Sequence, residues 1–488
     1  MSSNKFFTFK NTIGGALQGS KRLGHGINPS TRKPLWDVPI ASSQDLESAV
    51  SAARVAFADW SKTPWAHRQA CLTQASKLLA ERKNDMSRLL SLECGKPPQF
   101  AELEVIHAIN FLDFFGLFRF TAAQEPLETR VIQDDKDLHL ALQYEPMGVI
   151  GAICPWNYPL VLAIGKIAPA LLTGNCMIAK PSPYTPYSLL KFSELVQNVF
   201  PPGVLQALHG DMELGPLLCQ HADVDKISFT GSSATGKKIM AAASATLKSV
   251  TLELGGNSAN IVCPDVDVDV VAPQVALAAF FNSGQLCVAS KRVFVHEDIY
   301  DRFLEKMVET VEKWKVGPPD AEGGVMLGPV QNEMQYNIVK RFFQDTTENG
   351  YKFACGGGQA LDGSSFFINP AIVDNPPDQS LVVEGEAFGP IVPLLKWKDE
   401  DDVLSRANNT TTGLGGAVWS ADIDRAKRIA SGINAGTIWI NSFEKPLPQA
   451  HLAGRKESGV GGEWGREGLG VYCNIKTIHH YRNPVSKE

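Results

Sequence analysis

Apolar positions first recur along the chain at helical spacing and later gather into short runs. Leu46, Ala49, Ala53, Phe57 and Trp60 lie three to four residues apart behind Ser42 and Ser43, so an amphipathic helix with plausible caps is expected there. Leu72, Ala75, Leu79, Met86 and Leu90 keep the rhythm until Gly95 and Pro97 stop it, which predicts a second helix. Residues 1–42, rich in Gly, Pro and Ser, read as short strands and turns. From Gly148 the pattern alternates: Val149 to Ile153, a helix through Ile164 to Leu172, Met177 to Ala179, a helix through Leu189 to Val199, and Ile227 to Thr230. Strands separated by helices argue for βαβ units on a parallel sheet, which takes ligands beyond its strand ends.

A second region of this kind begins at Ala259 to Val262. It includes the strand Arg292 to Val295, a helix Tyr300 to Trp314, and the strands Phe366 to Ile368, Ile391 to Lys396, Ala417 to Trp419 and Thr437 to Ile440. The break between the regions falls near Gly255-Gly256. Leu138 to Tyr144 alternates polar and apolar sides after an acidic turn at Asp134-Asp135, a hairpin signature outside the βαβ rhythm. The expected fold class is α/β, with two doubly wound parallel-sheet domains and a small β arm.

Composition narrows the partners. A net charge of −6 with no basic cluster argues against nucleic acid and anionic membranes, and favours a small molecule. The cysteines are nine, an odd number without a C-x-x-C pair, so neither a zinc site nor a disulfide framework is expected and a reducing, cytoplasmic setting fits. The N-terminus lacks an apolar core, and the longest apolar run, Pro159 to Leu172, is interrupted by Gly165, Lys166 and Pro169; no signal peptide or membrane span is expected. Asn408-Asn409-Thr410 matches a glycosylation acceptor, a chance match without a secretory signal.

The candidate chemistry centres on Phe280-Phe281-Asn282-Ser283-Gly284-Gln285-Leu286-Cys287-Val288, where a thiol follows an apolar helix-like run from Val271 to Phe281. Sulfur attacks a carbonyl well only as thiolate, so it needs backbone donors or a cation to lower its pKa. Upstream, Glu253 ends a strand-like run before Gly255-Gly256, and Asn157 follows Val149 to Ile153 at a sheet's exit. Taken singly, each has an ordinary explanation: a packed cysteine, a solvated strand end, a turn former. Together they supply a nucleophile, a carboxylate to activate water and an amide for a developing oxyanion. Gly231 to Lys238 nearly matches a nucleotide P-loop, but Lys238 stands where the metal-binding hydroxyl should be. What survives is a strand, a glycine turn and a helix N-terminus suited to a pyrophosphate.

The sequence resembles the aldehyde dehydrogenase superfamily. The motifs that carry the resemblance are Pro155-Trp156-Asn157, Lys180-Pro181-Ser182, Phe229 to Gly236, Glu253-Leu254-Gly255-Gly256, Gly284-Gln285-Leu286-Cys287, Glu386 to Pro390 and Gly454 to Gly459, in the family's order over residues 28–480. The resemblance implies two Rossmann-like domains: a dinucleotide-binding one of residues 1–125 and 147–256, and a catalytic one of residues 257–445. It also implies that residues 126–146 and 470–488 form an oligomerisation arm, with Ile475 to Ile478 as a C-terminal strand, giving a homodimer or homotetramer. It implies Cys287, Glu253 and Asn157 as catalytic residues. Trp156, Lys180, Ser182, Gly231, Ser232, Gly236, Leu254, Glu386 and Phe388 would hold the cofactor, NAD. Two departures stand out. Pro183 replaces a glutamate common in NAD-preferring members, so NADP is admitted alongside NAD, and Gly385 replaces an acid before Glu386.

The implied cycle runs from Cys287 attack on an aldehyde, with the oxyanion held by the Asn157 amide and the Cys287 N–H, through a thioester to hydrolysis by water activated by Glu253. The tunnel wall would be Tyr158, Phe281, Leu286, Val288, Phe443 and Leu452, with Asn441, Ser442 and Glu444 beside Phe443; it suits an aromatic or medium aliphatic aldehyde. Leu452 stands in place of a usual Phe, which widens the tunnel. Relatives that pass the acyl group to coenzyme A generally lack the glutamate, so Glu253 disfavours that reading. A silent binding or structural protein on the same fold is the other alternative.

Overall fold

The structure, a computed structural model, describes residues 6–119, 127, 129–357, 365–443, 445 and 447–482. Among the described residues the strands form an eight-stranded sheet, a seven-stranded sheet, a three-stranded sheet and two small ribbons. The first sheet is built on β1 (Val149–Ile153), β2 (Cys176–Lys180), β3 (Leu205–Ala207), β4 (Lys226–Thr230) and β5 (Ser249–Glu253), parallel and in the spatial order β3-β2-β1-β4-β5. Antiparallel strands flank it: Asn11–Ile13 on β3, with Ala16–Gln18 outside it as the edge, and Gly459–Val460 on β5. The second sheet contains β6 (Ala259–Val262), β7 (Arg292–His296), β8 (Ala371–Asp374), β9 (Ile391–Trp397), β10 (Gly415–Trp419) and β11 (Thr437–Ile440), parallel in the order β8-β9-β7-β6-β10-β11. The mixed α/β class with two parallel sheets is what the alternating pattern led one to expect.

Strands buried on both faces are usually apolar throughout, and β1, Val-Ile-Gly-Ala-Ile, obeys this. β4 and β5 do not. Their sequences, Lys-Ile-Ser-Phe-Thr and Ser-Val-Thr-Leu-Glu, alternate, and in-register pairing sets Lys226 beside Ser249, Ser228 beside Thr251 and Thr230 beside Glu253. Neighbours in register share a face of the sheet, so a polar column runs up the interior and ends at Glu253.

Four helices shape the surroundings of that column and of the strand ends: α1 (Pro98–Gly116), α2 (Pro159–Leu172), α3 (Ser233–Ala243) and α4 (Val268–Phe280). α2 is buried along its length, each apolar side chain contributing about 1.5–3 kcal/mol of transfer free energy. Its first turn has no capping side chain of its own; Glu104 of α1 accepts the Leu160 and Val161 N–H groups at 3.0 and 3.3 Å while paired with buried Lys96. Glu93 serves the helix Tyr187–Leu195 in the same way, accepting from the Tyr187 and Ser188 N–H groups at 2.9 and 3.1 Å. Both acids satisfy donors that a helix start leaves free.

Three local expectations are corrected. The helix expected over 72–90 is two, Trp65–Glu81 and Lys83–Cys94, parted where Arg82 leaves helical geometry at φ −112°. The strand expected at Phe366 to Ile368 is absent, and β8 begins at Ala371, after Pro370, which has no N–H to give a ladder. The helix expected to Val199 ends at Leu195, ahead of Pro201-Pro202. The arm is a three-stranded antiparallel sheet of Thr129–Asp134, Leu138–Pro146 and Cys473–Tyr481, with Ile475 opposite Tyr144. Residues 126, 128 and 483–488 of the expected arm lie outside the described residues. No helix among the described residues is long and apolar enough to cross a membrane.

Candidate active site

The order β3-β2-β1-β4-β5 reverses between β1 and β4, and at such a reversal loops leave to opposite sides and open a crevice beyond the strand ends. β1 delivers Cys154 to Tyr158 there, β4 delivers Gly231-Ser232, and β5 delivers Glu253. Gly255-Gly256 then leads into β6, so the second sheet meets this crevice with the starts of its strands: Cys287 precedes β7, and Glu386 to Phe388 precede β9.

The loop carrying the thiol is bent by three successive left-handed residues, Asn282 (φ 52°), Ser283 (φ 57°) and Gly284 (φ 73°). That conformation costs a non-glycine residue about 1–2 kcal/mol, and the surroundings hold it. The Ser283 hydroxyl donates to the Gly328 carbonyl at 2.8 Å, the Gln285 amide donates to the Asn282 carbonyl at 3.0 Å, and its oxygen accepts from the Gln331 N–H at 2.9 Å. A side chain at 284 would strike the Gly389 carbonyl. Asn157 donates to the Gln285 carbonyl at 3.1 Å, so the amide is braced two residues from Cys287, with a second N–H left to offer.

Of the nine cysteines Cys287 is the one not fully buried. Its thiol is half-buried yet pushed up to about 12, chiefly by loss of solvent and further by the Glu386 and Glu253 carboxylates; the Lys291 ammonium opposes them. The cation that a reactive thiol needs is present in Lys291, but burial and two acids outweigh it.

Glu253 is 4% exposed, and neither carboxylate oxygen has a hydrogen-bond partner. Burial holds its pKa well above the ordinary carboxylate range, with the Glu463 charge raising it further and the Lys166 charge lowering it. Those two belong to the polar column. Lys166 of α2 pairs with Glu463 and donates to the Ser228 hydroxyl at 3.2 Å, and Ser228 donates to Glu463 at 2.7 Å. Lower down, Lys226 donates to Thr251 and Ser249 at 2.7 and 3.3 Å and is lowered to about 8 by burial.

Glu386 is held differently. One carboxylate oxygen accepts from Lys291 and, at 3.2 Å, from the Gly256 N–H, and the other lies where a Cβ at Gly255 would sit. The Gly-Gly pair after Glu253 is thus required: residue 255 must admit the Glu386 carboxylate and residue 256 the Cys287 carbonyl. Gly385 is explained as well, since a side chain there would press on the Phe342 ring and the Leu381 carbonyl. Phe388 adopts φ 48° and meets Trp156 edge to face at 5.4 Å.

The cradle expected for a dinucleotide can be tested on its donors. Ser232 caps α3 by accepting from the Thr235 N–H at 3.3 Å, leaving the first two N–H groups of that helix without helical acceptors. The Gly231 N–H donates to the Glu253 carbonyl at 3.0 Å, and Phe229 fills the space of any side chain at 231. Gly236 admits the Leu254 side chain, so these two pack on each other. Lys180 and Ser182 are buried at the end of β2; Lys180 is lowered by burial, and beside it His209 is pushed down to about 4 by burial and then by that lysine's charge. A helix start, a glycine turn and a nearby ammonium fit a pyrophosphate and its ribose.

The expected tunnel residues are distributed unevenly. Tyr158 lies under Lys96, whose Nζ is 3.4 Å from the ring centroid; Phe281 meets Phe100 edge to face at 4.6 Å; Leu286 packs on the same first core. Val288 faces Gly415, while Phe443 packs on the second sheet's helices. Leu452 exchanges both main-chain hydrogen bonds with Glu463, at 2.8 and 2.7 Å. Asn441 and Ser442 lie on the rim, and Glu444 falls outside the described residues. A cavity of about 640 Å³ between α1 and Gln449, Arg466 and Glu467 touches none of them. Sequence reasoning missed Lys166, Glu463 and Lys291. Lys166 had a signal, a lone cation in an otherwise apolar helix; the other two sat in unremarkable polar surroundings.

With this geometry established, known proteins provide the comparison. The sequence model of the Aldehyde dehydrogenase family matches residues 18–478. An aldehyde dehydrogenase of a Fusarium species is 40% identical over 478 residues, 98% of this chain and 100% of that one. Among solved structures, the NAD+ complex of aldehyde dehydrogenase from Bacillus cereus superposes with a TM-score of 0.94 at 31% identity over 99% of both chains. An NADP dependent enzyme of E. coli gives 0.94 at 31% identity, over 99% of this chain and 100% of that one. A thiol and an unpartnered glutamate converging on one glycine pair, in a chain alike to these proteins along almost its whole length, identify it as a member of the aldehyde dehydrogenase family.

Proposed function

We propose that this chain oxidises an apolar aldehyde to the carboxylic acid, with NAD as hydride acceptor and NADP admitted alongside it. The observation that carries the reading is Glu253: a buried carboxylate with neither oxygen bonded, whose charge acts on the half-buried Cys287 thiol. A structural acid of this core, such as Glu93 or Glu104, spends its oxygens on helix donors. An acid kept free still has both oxygens to offer a water or a substrate.

Cys287 adds through Sγ to the aldehyde carbon; the thiol proton passes to solvent as the carbon–sulfur bond forms and the carbonyl π pair moves onto oxygen. The oxygen of the resulting thiohemiacetal draws on the free N–H of Asn157 and the Cys287 main-chain N–H. Gly231, Ser232, Lys180, Ser182, Trp156, Glu386 and Phe388 would hold the dinucleotide, with Gly236 and Leu254 shaping the fold beneath, and its nicotinamide would accept the hydride that leaves the former aldehyde carbon as the carbonyl re-forms in a thioester to Cys287. Glu253 then takes a proton from water, whose oxygen attacks the thioester carbon; the carbon–sulfur bond breaks and the acid leaves. Burial raises its pKa above the ordinary carboxylate range, which makes its ionised form a stronger base. The mostly apolar wall of Tyr158, Phe281, Leu286, Val288, Phe443 and Leu452 supports an aromatic or medium aliphatic substrate. Pro183, without a carboxylate to repel a 2′-phosphate, supports tolerance of NADP. The domain limits at residues 125, 147, 256 and 445 are the divisions we assign, the arm is the surface through which copies would join as a dimer or tetramer, and nine free cysteines suit a reducing compartment such as the cytoplasm.

The test is absorbance at the reduced-nicotinamide band for a panel of aldehydes with NAD or NADP, on the parent chain and Cys287→Ser. Turnover with apolar aldehydes that disappears in the variant is expected. Turnover surviving the loss of the thiol would overturn the mechanism, and a large preference for NAD would remove the NADP reading.

A further inference from the structure

Beneath the thiol sits a cation that the proposed cycle does not use. Lys291, at the entrance to β7, has a side chain only 9% exposed. Its ammonium donates to the Gly256 carbonyl at 2.9 Å, to the Cys287 carbonyl at 3.1 Å and to the Glu386 carboxylate, and lies 5.2 Å from the centre of the Phe388 ring. It therefore touches the glycine link between the sheets, the nucleophile's own main chain, and the two residues read as facing the nicotinamide. All three donors of the ammonium are spent on oxygens of this site. A lysine so placed gives up rotamer freedom that a solvated surface lysine keeps.

We propose that Lys291 is a positioning residue: its ammonium locks the Cys287 main chain to the Glu386 carboxylate, setting how readily the thiol reacts and how readily Glu386 turns to a nucleotide. Two consequences arise from charge alone. The acids facing Cys287, Glu386 and Glu253, are offset by this one cation, so its removal leaves the sulfur facing uncompensated negative charge and its thiolate becomes rarer. Glu386, released from its ion pair, becomes free to accept hydrogen bonds from ribose hydroxyls, so the nucleotide no longer competes with Lys291 for it. The two effects have opposite signs, a pattern that general loosening of the loop would not produce. The inference rests on the aldehyde dehydrogenase reading for the role of Glu386, but its first consequence concerns the thiol alone.

The experiment compares the full chain with Lys291→Met, Lys291→Gln and Lys291→Arg, each checked by thermal melting. Iodoacetamide labelling without nucleotide reports Cys287, the one cysteine not buried. The two neutral variants should label about tenfold more slowly at every pH below the thiol's midpoint, equivalent to a shift of about one pH unit. Lys291→Arg should recover to within about threefold. NAD titrated by quenching of tryptophan fluorescence should bind the neutral variants about threefold more tightly. Labelling rates that match the parent in whichever neutral variant folds, or slow labelling accompanied by weaker NAD binding in both, would overturn the proposal. Should none of the aldehydes in the panel support NAD reduction by the parent while the labelling difference stands, the functional reading fails and the thiol's dependence on Lys291 survives.

Discussion

Two carboxylates stand on either side of Gly255-Gly256, and their settings are opposite. Glu253, at the end of β5, is sealed in the first core with no bonded oxygen, and its proton is held by burial and by Glu463. Glu386, on the approach to β9, is a quarter exposed, paired with Lys291 and bonded by a main-chain N–H. Residue type is the same; solvent and partners make one a base in waiting and the other a hydrogen-bond acceptor tied to a cation. The contrast also separates Glu253 from the structural acids, because Glu93 and Glu104 are as buried but fully engaged at helix starts.

The most forceful way to break the contrast is Glu253→Gln, which keeps shape and removes basicity. Steady-state turnover should fall about 10²–10⁴-fold, the usual worth of a general base. The first burst of reduced nicotinamide should persist, because the thiol still forms its thioester. Rapid-mixing absorbance separates the two phases, and undiminished steady turnover would strip Glu253 of its role.

Glu386→Gln attacks the other side. Losing a charged acceptor is worth about 1.5–3 kcal/mol, so the KM for NAD should rise about ten- to a hundredfold while kcat stays within about threefold. Initial-rate kinetics decide it. A kcat loss as large as that of Glu253→Gln would mean that the two acids are not divided as their surroundings suggest.

A subtler change tunes Glu253 without touching it. Glu463→Gln removes the charge that raises its pKa and leaves Lys166, which lowers it. Because hydrolysis needs the ionised carboxylate, activity rises with pH through the Glu253 midpoint, and the variant's acid limb should move to lower pH, raising turnover at any fixed pH below the midpoint. The pH–rate profile of kcat reads the shift directly. A limb that stays in place would detach the polar column from the base.

How much of this was legible in the chain depends on the reach of each feature. The parallel sheets were visible because βαβ alternation is local, and Cys287, Glu253 and Asn157 were visible because their motifs are short and contiguous. The Lys166–Glu463 pair spans 297 residues and the Lys291–Glu386 pair 95, so no window of sequence could show either. The thiol's raised pKa was illegible for the same reason: it is a sum over neighbours brought in by both sheets. Gly385 looked like a missing acid in the sequence and is in fact space occupied by Phe342.

The smallest effect on catalysis is expected from Glu93→Gln, which tests whether an engaged acid differs from a free one in kind. Glu93 is raised to about 7 by burial, against the hydrogen bonds it accepts from Ser188 and Tyr187. The folded chain thus binds its proton more tightly than the unfolded chain does, so the contribution to stability is complete below about pH 4.5 and drains away as pH rises through 7. Between those limits the parent should lose about 3 kcal/mol that the variant does not, since one pKa unit corresponds to about 1.4 kcal/mol. Urea midpoints of both proteins, compared at pH 5 and pH 8, isolate this difference from every other titrating group. Turnover per folded molecule should be the same in both proteins. If the variant loses turnover as Glu253→Gln does, burial rather than the absence of partners is what marks a carboxylate for chemistry in this core.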